Sequence, residues 1–487
     1  MTRKHEYFKI TKHAKRYDKQ TGKFTFNIAY ETATEMTQRT INVAEAFGLG
    51  IDQTQKFPIY DNAELKISPT DIVYITGDSG SGKSVLLKAI KQDLGDEAAD
   101  MTDIEPNPDK PIIDTVGKDF NEALELLSKA GLNDAFLFVR RFRELSDGQK
   151  YRYRIAKLME SGKQWWIADE FCSMLDRDTA KIVAFNIQKV ARQMGKALVL
   201  ATTHVDLFED LKPSVHVHKR FGREISVNYY GNEAAEECSL AGEMWIEEGT
   251  FADYKRLSGF HYRSGRCPPP RKIFVLRRGD ELCGVIVYSF ASPLAFGRSR
   301  VWKGDFGSLQ RDLSVISRVV VHPKYRSVGL GCRLVRETLP LVGTRFVEMI
   351  AVMAKYNPFA EKAGMRRVAV QLPCKQALRV VEVLGKLGFS CCLLGCEDYL
   401  FNRLACLSGE DVEKIKQAFV ENCHPRFVKC FGGRLAFGNR EAYAEEVRRA
   451  SVEKLVKLIK VCGVLMQTKV YLFWDKCENY GEKDGKF

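Results

Sequence analysis

The sequence has no run of about 18 apolar residues, and its start, MTRKHEYFKI, carries no apolar stretch. A membrane helix needs about 20 such residues, and a secretory leader needs roughly 7–15. These absences predict a chain with no membrane segment and a cytoplasmic location. Cysteine is almost missing from the first part: Cys172 is the only one before residue 225, and the other thirteen lie between Cys238 and Cys477. No pair has CxxC spacing, the closest groupings being Cys391, Cys392 and Cys396, and the run Cys423, His424 and Cys430. The expectation is therefore reduced thiols buried as small hydrophobes rather than a zinc site. Internal repeats and low-complexity tracts are also absent.

What the chain does have is a composition of 45% apolar and 28% charged residues over 487 positions. That much apolar residue can bury a large core and excludes disorder of the whole chain. At about 100–200 residues per domain, the length suggests roughly three domains. The formal charge is +13 and unevenly spread. The first 23 residues hold Arg3, Lys4, Lys9, Lys12, Lys15, Arg16, Lys19 and Lys23 against Glu6 and Asp18, a net of eight minus two, or +6. Further clusters are Arg266, Arg271, Lys272, Arg277 and Arg278, then Arg298, Arg300, Lys303 and Arg311. Such patches suit a polyanion, nucleic acid first, and equally suit a solvated surface.

Residues 71–84, DIVYITGDSGSGKS, pass from a β-branched apolar run through glycines into VLLKAIKQDL, which has helical spacing. The pattern predicts strand, loop, helix. The stretch Gly77, Asp78, Ser79, Gly80, Ser81, Gly82, Lys83 and Ser84 has phosphate-loop spacing. Glycines let backbone N–H groups turn onto phosphates, and the helix N-terminus adds positive potential. Lys83 would reach the β and γ phosphates, and the Ser84 hydroxyl would bind Mg²⁺.

Three further elements follow: Leu145-Ser146-Asp147-Gly148-Gln149, then the apolar Trp165-Trp166-Ile167-Ala168 ending in Asp169-Glu170, then Ala197-Leu198-Val199-Leu200-Ala201-Thr202-Thr203-His204. With the phosphate loop, they make residues 40–225 resemble the ATP-binding cassette (ABC) ATPases, whose signature is LSGGQ. The resemblance implies that Ser146, Gly148 and Gln149 face a nucleotide held by the opposite subunit. It also implies that Asp169 holds Mg²⁺, that Glu170 polarises the attacking water, and that His204 contacts the γ-phosphate. Leu175-Asp176 resembles the family's D-loop. ATP, Mg²⁺ and a homodimer clamping two nucleotides are the implied cofactors and assembly. Two departures stand: only about sixty residues separate Lys83 from the signature, and no strand ending in glutamine occupies the Q-loop position. The region that transporters use to grip a membrane subunit is thereby reduced, which argues against transport. Phe47, Phe57 and Tyr60 are the candidate adenine-stacking aromatics.

Residues 271–290, RKIFVLRRGDELCGVIVYSF, read as a hairpin around Arg277-Arg278-Gly279-Asp280. VISRVVVHPKYRSVGLGCRLVRETL then gives a strand, a basic glycine loop and an amphipathic helix. This resembles the GNAT N-acetyltransferases, whose pyrophosphate loop R/Q-x-x-G-x-G/A is matched by Arg326, Ser327, Val328, Gly329, Leu330 and Gly331. The resemblance implies acetyl-CoA binding, with Val319, Val320 and Val321 pairing to the pantetheine arm. Asn357-Pro358 and Ala363-Gly364 read as N-cap, first-turn proline and C-terminal glycine of a short helix. In the family that helix carries a tyrosine serving as general acid. Here the position is Ala360, with Tyr356 or a water as substitutes. Glu348 is the candidate base, or equally an outward-facing strand carboxylate.

The fold class expected is α/β multidomain: residues 1–225 an ABC ATPase domain with a basic N-terminal segment, 226–375 a GNAT-like domain, 376–487 a mostly helical extension closed by the strand KVYLFW and a frayed tail. The function expected is an ATP-hydrolysing, acetyl-CoA-dependent N-acetyltransferase on a large acceptor, nucleic acid foremost. ATP would serve conformational gating, because amine acetylation by a thioester is already downhill. The alternatives are a protein or small-amine acceptor, or a non-catalytic GNAT module in an ABC binding machine.

Overall fold

The structure, a computed structural model, describes residues 8–12, 16–32, 36–49, 55–261, 267–352, 354, 357–432 and 439–480. Arg3, Lys4, Lys15, Arg266, Tyr356 and the tail 481–487 lie outside the described residues. The chain forms two compact units. One comprises Met1–Gly265, Phe274–Val285 and Val319–Leu334; the other comprises Arg266–Ile273, Ile286–Arg318 and Val335–Phe487.

The first unit opens with an antiparallel sheet of β1 (Phe8–Lys12), β2 (Arg16–Asp18), β3 (Lys23–Thr32) and β4 (Gln55–Lys66), in which β3 pairs with each of the others. Phe24, Phe26 and Ile28 alternate inward from β3, as a half-buried strand requires. They share a core with Val85, Leu86, Leu87 and Ile90 of the helix Lys83–Leu94. Nothing in the sequence analysis anticipated this sheet.

A second sheet of six strands follows the order β10-β9-β5-β8-β7-β6, with β5 at Ile72–Gly77, β6 at Ala98–Asp100, β7 at Trp165–Ala168, β8 at Ala197–Ala201, β9 at Val215–Lys219 and β10 at Ile225–Tyr229. Strands β9, β5, β8, β7 and β6 run parallel. Every residue of β5, β7 and β8 is buried, the reason each reads as a continuous apolar run rather than an alternating one. The helices Asp147–Glu160 and Arg177–Gln193 bury Tyr151, Tyr153, Ile155, Val183 and Ile187 in the second core of this unit.

The remaining strands are β11 (Trp245–Glu248), β12 (Pro270–Arg278), β13 (Glu281–Phe290), β14 (Leu313–Val321), β15 (Phe346–Ala351), β16 (Arg366–Gln371) and β17 (Lys469–Asp475), in the order β11-β12-β13-β14-β15-β17-β16. The predicted hairpin is present, and Pro270 opens β12. Within the second unit, β14 and β15 pair in parallel over three positions, Leu313↔Phe346, Ser314↔Val347 and Val315↔Glu348. Strand β17 then pairs antiparallel with both β15 and β16. Between β16 and β17, the helices Lys375–Lys386, Glu397–Ala405, Gly409–Glu421, Arg440–Arg448 and Val452–Leu465 build a core of their own around Leu384, Ile415, Phe419 and Ile459.

Two local expectations need correction. The short helix spans Phe359–Lys362 with Pro358 at its N-cap, so Asn357 precedes the cap rather than forming it. Cys172, Cys238, Cys283 and Cys462 are buried, but Cys391, Cys392, Cys396, Cys406 and Cys477 are exposed. The last group lies mostly in the helical segment, where positions facing away from the local core carry thiols.

Candidate functional site

The phosphate loop runs from the end of β5 to the helix Lys83–Leu94, with glycine where the backbone excludes other residues. Gly77 has φ +142°, and a Cβ there would lie 1.8 Å from the Lys219 carbonyl oxygen. Gly82 has φ +107°, and a Cβ would lie 2.6 Å from Ile59 Cγ2. Lys83 Nζ folds back to donate to the carbonyls of Gly77 at 2.8 Å and Asp78 at 2.7 Å. Burial pulls its pKa down, while Asp169, Asp78 and Glu170 act in the opposite direction. Ser81 Oγ is buried with no hydrogen-bond partner. A buried ammonium resting on loop carbonyls and an orphaned hydroxyl are groups that a phosphate would satisfy. Tyr60, one of the candidate adenine platforms, is buried and donates through its hydroxyl to the Gly82 carbonyl at 2.9 Å. It supports the loop and offers no face for stacking. Phe47 is exposed, and the Phe57 side chain lies outside the described residues.

The signature segment places Ser146 at the N-cap of the helix Asp147–Glu160, where its backbone N–H donates to Gln149 Oε1 at 3.0 Å. A Cβ on Gly148 would approach Leu175 Cδ2 to 3.3 Å, so signature and D-loop are in contact through the missing side chain. The Asp176 carboxylate caps the next helix, accepting from Thr179 N at 3.1 Å and Thr179 Oγ1 at 2.6 Å. Asp169 directly follows the buried β7, and its Oδ1 accepts the Glu170 N–H at 2.9 Å. Glu170 is exposed with φ +48°, and Cys172 has φ +60°. Two non-glycine residues in the left-handed region within one turn hold the carboxylates in a defined direction, at the modest energetic cost such backbone carries.

His204 follows β8. Its N–H donates to Thr202 Oγ1 at 3.2 Å, and its carbonyl accepts from the Tyr74 hydroxyl. Burial, then the Arg177 guanidinium, lower its pKa, against the pull of Asp206. Arg177 itself pairs with Asp206 through both ends of its fork, Nε to Oδ2 at 2.9 Å. Strand β6 ends in Asp100, which takes Lys91 Nζ at 3.0 Å; no glutamine stands there. Residues Ser84 and Asp169 are the oxygen donors suited to Mg²⁺, and Ser84 is half-buried at the start of its helix.

The expected coenzyme residues fall in both units. In the first, Ser327 and Gly329 are exposed with φ +73° and +88°, while Val328 and Leu330 are buried and Leu330–Thr338 is helical. Arg326 does not project over the glycines. Its guanidinium donates to the carbonyls of Val321 at 3.0 Å, Asn133 at 2.5 Å and Phe260 at 3.2 Å. Val319 and Val321 are half-buried on β14, flanking buried Val320. In the second unit, Asn357 is exposed, and Glu348 is 2% exposed. Its oxygens accept from Arg298 Nε at 2.9 Å, Arg298 Nη2 at 2.5 Å and the Tyr471 hydroxyl at 2.7 Å. The outward-facing alternative is thereby overturned. Nothing in the sequence tied Arg298 or Tyr471 to Glu348, because the contacts join positions 50 and 123 residues apart.

The basic clusters are partly paired within the fold, while Arg311 pairs only at the surface. Arg277 pairs with Glu247 and Asp253, Arg278 with Glu243 and Asp178, Arg298 with Glu348, and Arg311 with Asp312. Arg271 donates to the Gln310 carbonyl. Arg300 and Lys303 remain exposed.

Glycines fixed by sterics at a helix N-terminus, a buried lysine in their midst and a carboxylate pair ending a neighbouring strand define a P-loop nucleoside triphosphatase. Comparison with known proteins carries this one step further. The cytochrome c biogenesis ATP-binding export protein CcmA of Brucella abortus is 30% identical over 178 residues, which cover 31% of this chain and 80% of that protein. The methionine import ATP-binding protein MetN of Rhizobium etli is 25% identical over 224 residues, 38% of this chain and 60% of that one. Over about a third of its length, then, the chain belongs to the ATP-binding cassette ATPases. Among solved structures, a dimeric ATP-binding cassette bound to ADP and Pi aligns at TM-score 0.31 and 17% identity over 41% of this chain and 97% of its own. No family model matches. No helix among the described residues is long and apolar enough to cross a membrane.

Proposed function

We propose that the chain is an ATP-hydrolysing, acetyl-CoA-dependent N-acetyltransferase acting on a large acceptor, nucleic acid foremost, with ATP used for conformational gating in a homodimer. The cassette part rests on family membership. The acyl-transfer part is carried by one observation: the parallel pairing of β14 with β15 stops after Val315↔Glu348, and β14 leads on to the Arg326–Gly331 loop and a nine-residue helix. A strand that leaves its neighbour exposes N–H and C=O groups, the groups a pantetheine amide chain would pair with. Ser327 and Gly329 are exposed residues with positive φ at the start of a helix, a backbone that suits a pyrophosphate.

In the cassette, Lys83 and the loop amides bind and orient the phosphates, Ser84 and Asp169 hold Mg²⁺, and Glu170 orients water for in-line attack. The metal, when bound, neutralises charge on the transferring phosphoryl group. His204 contacts the γ-phosphate, and Ser146, Gly148 and Gln149 complete the partner subunit's site. In the acyltransferase, the acceptor nitrogen attacks the thioester carbonyl, the C–S bond breaks, and the coenzyme leaves as thiolate. The nitrogen gives up a proton and the sulfur takes one. Glu348 is the proposed base, reached through the hydrogen bond of Tyr471. Val319–Val321 belong to the coenzyme site.

A second reading, a coenzyme-binding module without catalysis, is favoured by Ala360 at the position of the general acid and by the engagement of Glu348 with Arg298. One experiment separates them. Labelled acetyl-CoA is incubated with the protein, with and without ATP, against tRNA, DNA and protein. Label in either nucleic acid pool, enhanced by ATP, supports the proposal; label in protein alone moves the acceptor, and label in none supports the second reading.

A further inference from the structure

The loop expected to bind coenzyme A is fastened to the ATP cassette. Two side chains of the helix Arg177–Gln193, Asp178 and Asn186, and the carbonyl of Asn133 make the attachment. Asp178 pairs with Lys324 Nζ at 2.5 Å and with Arg278 Nη1 at 2.9 Å. Asn186 Nδ2 donates to Ser327 Oγ at 2.8 Å. Arg326 reaches the Asn133 carbonyl, and the buried Tyr325 donates to Glu281 Oε2 at 2.6 Å, with Asp178 Oδ2 at 3.4 Å. The ion pairs are only partly solvated: the Asp178 and Arg278 side chains are 19% and 24% exposed. Such pairs are screened less than surface ones.

The same helix turn is tied to the nucleotide end of the cassette. Asp176 and Arg177 adjoin Asp178 in the chain; Arg177 grips Asp206, two residues beyond His204, and Leu175 rests on signature Gly148. The chain step from His204 to Asp206, whose charge acts on the His204 ring, and the contacts Asp206–Arg177, Asp178–Lys324 and Asn186–Ser327 form one connected path through a single rigid helix. A path of this kind carries coupling when a ligand at one end has different affinities for two arrangements of it.

Resting on the coenzyme-binding reading above, we propose that Asp178 and Asn186 are positioning residues of the coenzyme loop, through which the γ-phosphate state of the cassette sets the affinity of residues 326–331 for coenzyme A. The coupling is reciprocal, so coenzyme A alters nucleotide affinity by the same factor. The device gives a physical reason for the two modules to share one chain: acyl donor is held tightly in only one nucleotide state.

The test uses the full chain. Coenzyme A affinity is measured calorimetrically without nucleotide and with a non-hydrolysable ATP analogue plus Mg²⁺, and the analogue's affinity is measured with and without coenzyme A. The expected result is an equal change in both, of about 5–150-fold, the usual range of such coupling. In the Asp178→Asn, Asn186→Ala double variant the ratio falls to one while each ligand still binds alone. Hydrogen exchange of peptides covering 322–334, read without coenzyme, changes on adding the analogue in the parent chain and not in the variant. Because that arm compares nucleotide states of the parent chain, it stands if the variant does not fold. Coenzyme binding that ignores nucleotide, together with unchanged exchange, overturns the coupling alone. No coenzyme binding in any state overturns the reading beneath it as well.

Discussion

The hydroxyl of Tyr151 accepts the backbone N–H of Cys172 at 2.8 Å, with both residues buried. The bond joins the helix opened by the signature loop to the turn that follows Asp169-Glu170, and Cys172 holds φ +60° within that turn. Signature and carboxylates are thus braced by a single hydroxyl. Tyr151→Phe leaves a buried N–H without a partner, a cost of about 1–3 kcal/mol. The expected outcome is a lower urea midpoint with unchanged m-value, together with reduced ATP turnover. A variant as stable as the parent would show that water replaces the hydroxyl.

Gly77→Ala and Gly82→Ala should differ in kind. At Gly77 the added methyl meets backbone, the Lys219 carbonyl, and cannot be accommodated; at Gly82 it meets the end of the Ile59 side chain. Gly77→Ala is expected to lose the folded cassette. Gly82→Ala should keep the fold and lose ATP affinity, as read by nucleotide titration beside thermal unfolding.

Removing Arg298 strands a carboxylate in the second unit. Glu348 is almost fully buried, so Arg298→Met is expected to cost about 3–5 kcal/mol. The double change Arg298→Met, Glu348→Met should recover much of that. Acetyl transfer surviving in Glu348→Gln at the parent's rate would remove Glu348 as base.

Acid should weaken the cassette through its histidines. The ring of His216 is bonded to Thr76 Oγ1 at 2.9 Å. Burial, then His218, lower its pKa; His204 is lowered as well. A lowered folded-state pKa means the unfolded chain takes up the proton first. The stabilisation is complete above about pH 6.5, the unperturbed value, and is lost as pH falls below it. The thermal midpoint should therefore drop between pH 7 and 5.5, with a shallower drop in His216→Gln. An unchanged slope in that variant would place the effect elsewhere.

Nucleic acid binding, if six to ten phosphates are contacted, should weaken by about 10³–10⁵ between 50 and 200 mM salt. With Arg277, Arg278 and Arg298 paired with acids of the fold, Arg300→Ala, Lys303→Ala and Arg311→Ala are the informative changes. Filter binding that ignores all three, and ignores salt, would count against a polyanionic acceptor.

Much of the cassette was legible in the sequence because its elements are local. The strand, glycine turn and helix of 72–94 lie within one short segment, and Trp165–Ala168 and Ala197–Ala201 are apolar on every position because both faces are covered. The antiparallel sheet ending at Lys66 was missed although Phe24, Phe26 and Ile28 alternate, since it carries no motif to draw attention to that alternation. Nor was the role of Tyr60, whose hydroxyl finds a carbonyl 22 residues on. The pairing of charges was illegible in the same way. Arginine clusters are visible in one dimension, but the acids that neutralise them, such as Asp178 and Glu243 for Arg278, come from about 100 and 35 residues away. Composition reports charge without its partner.

The place of Lys469–Asp475 between Phe346–Ala351 and Arg366–Gln371 bears on how the chain is made. During synthesis, the two flanking strands leave the ribosome more than a hundred residues before the one that joins them. Until then each presents an open edge able to pair with another nascent chain. The helices from Lys375 to Leu465 have a core of their own and can form in the interval, delivering the last strand to a gap already flanked. Closure of that gap is a long-range event of the slow kind, and a pause or chaperone acting as residues 469–475 emerge would govern the yield of folded protein.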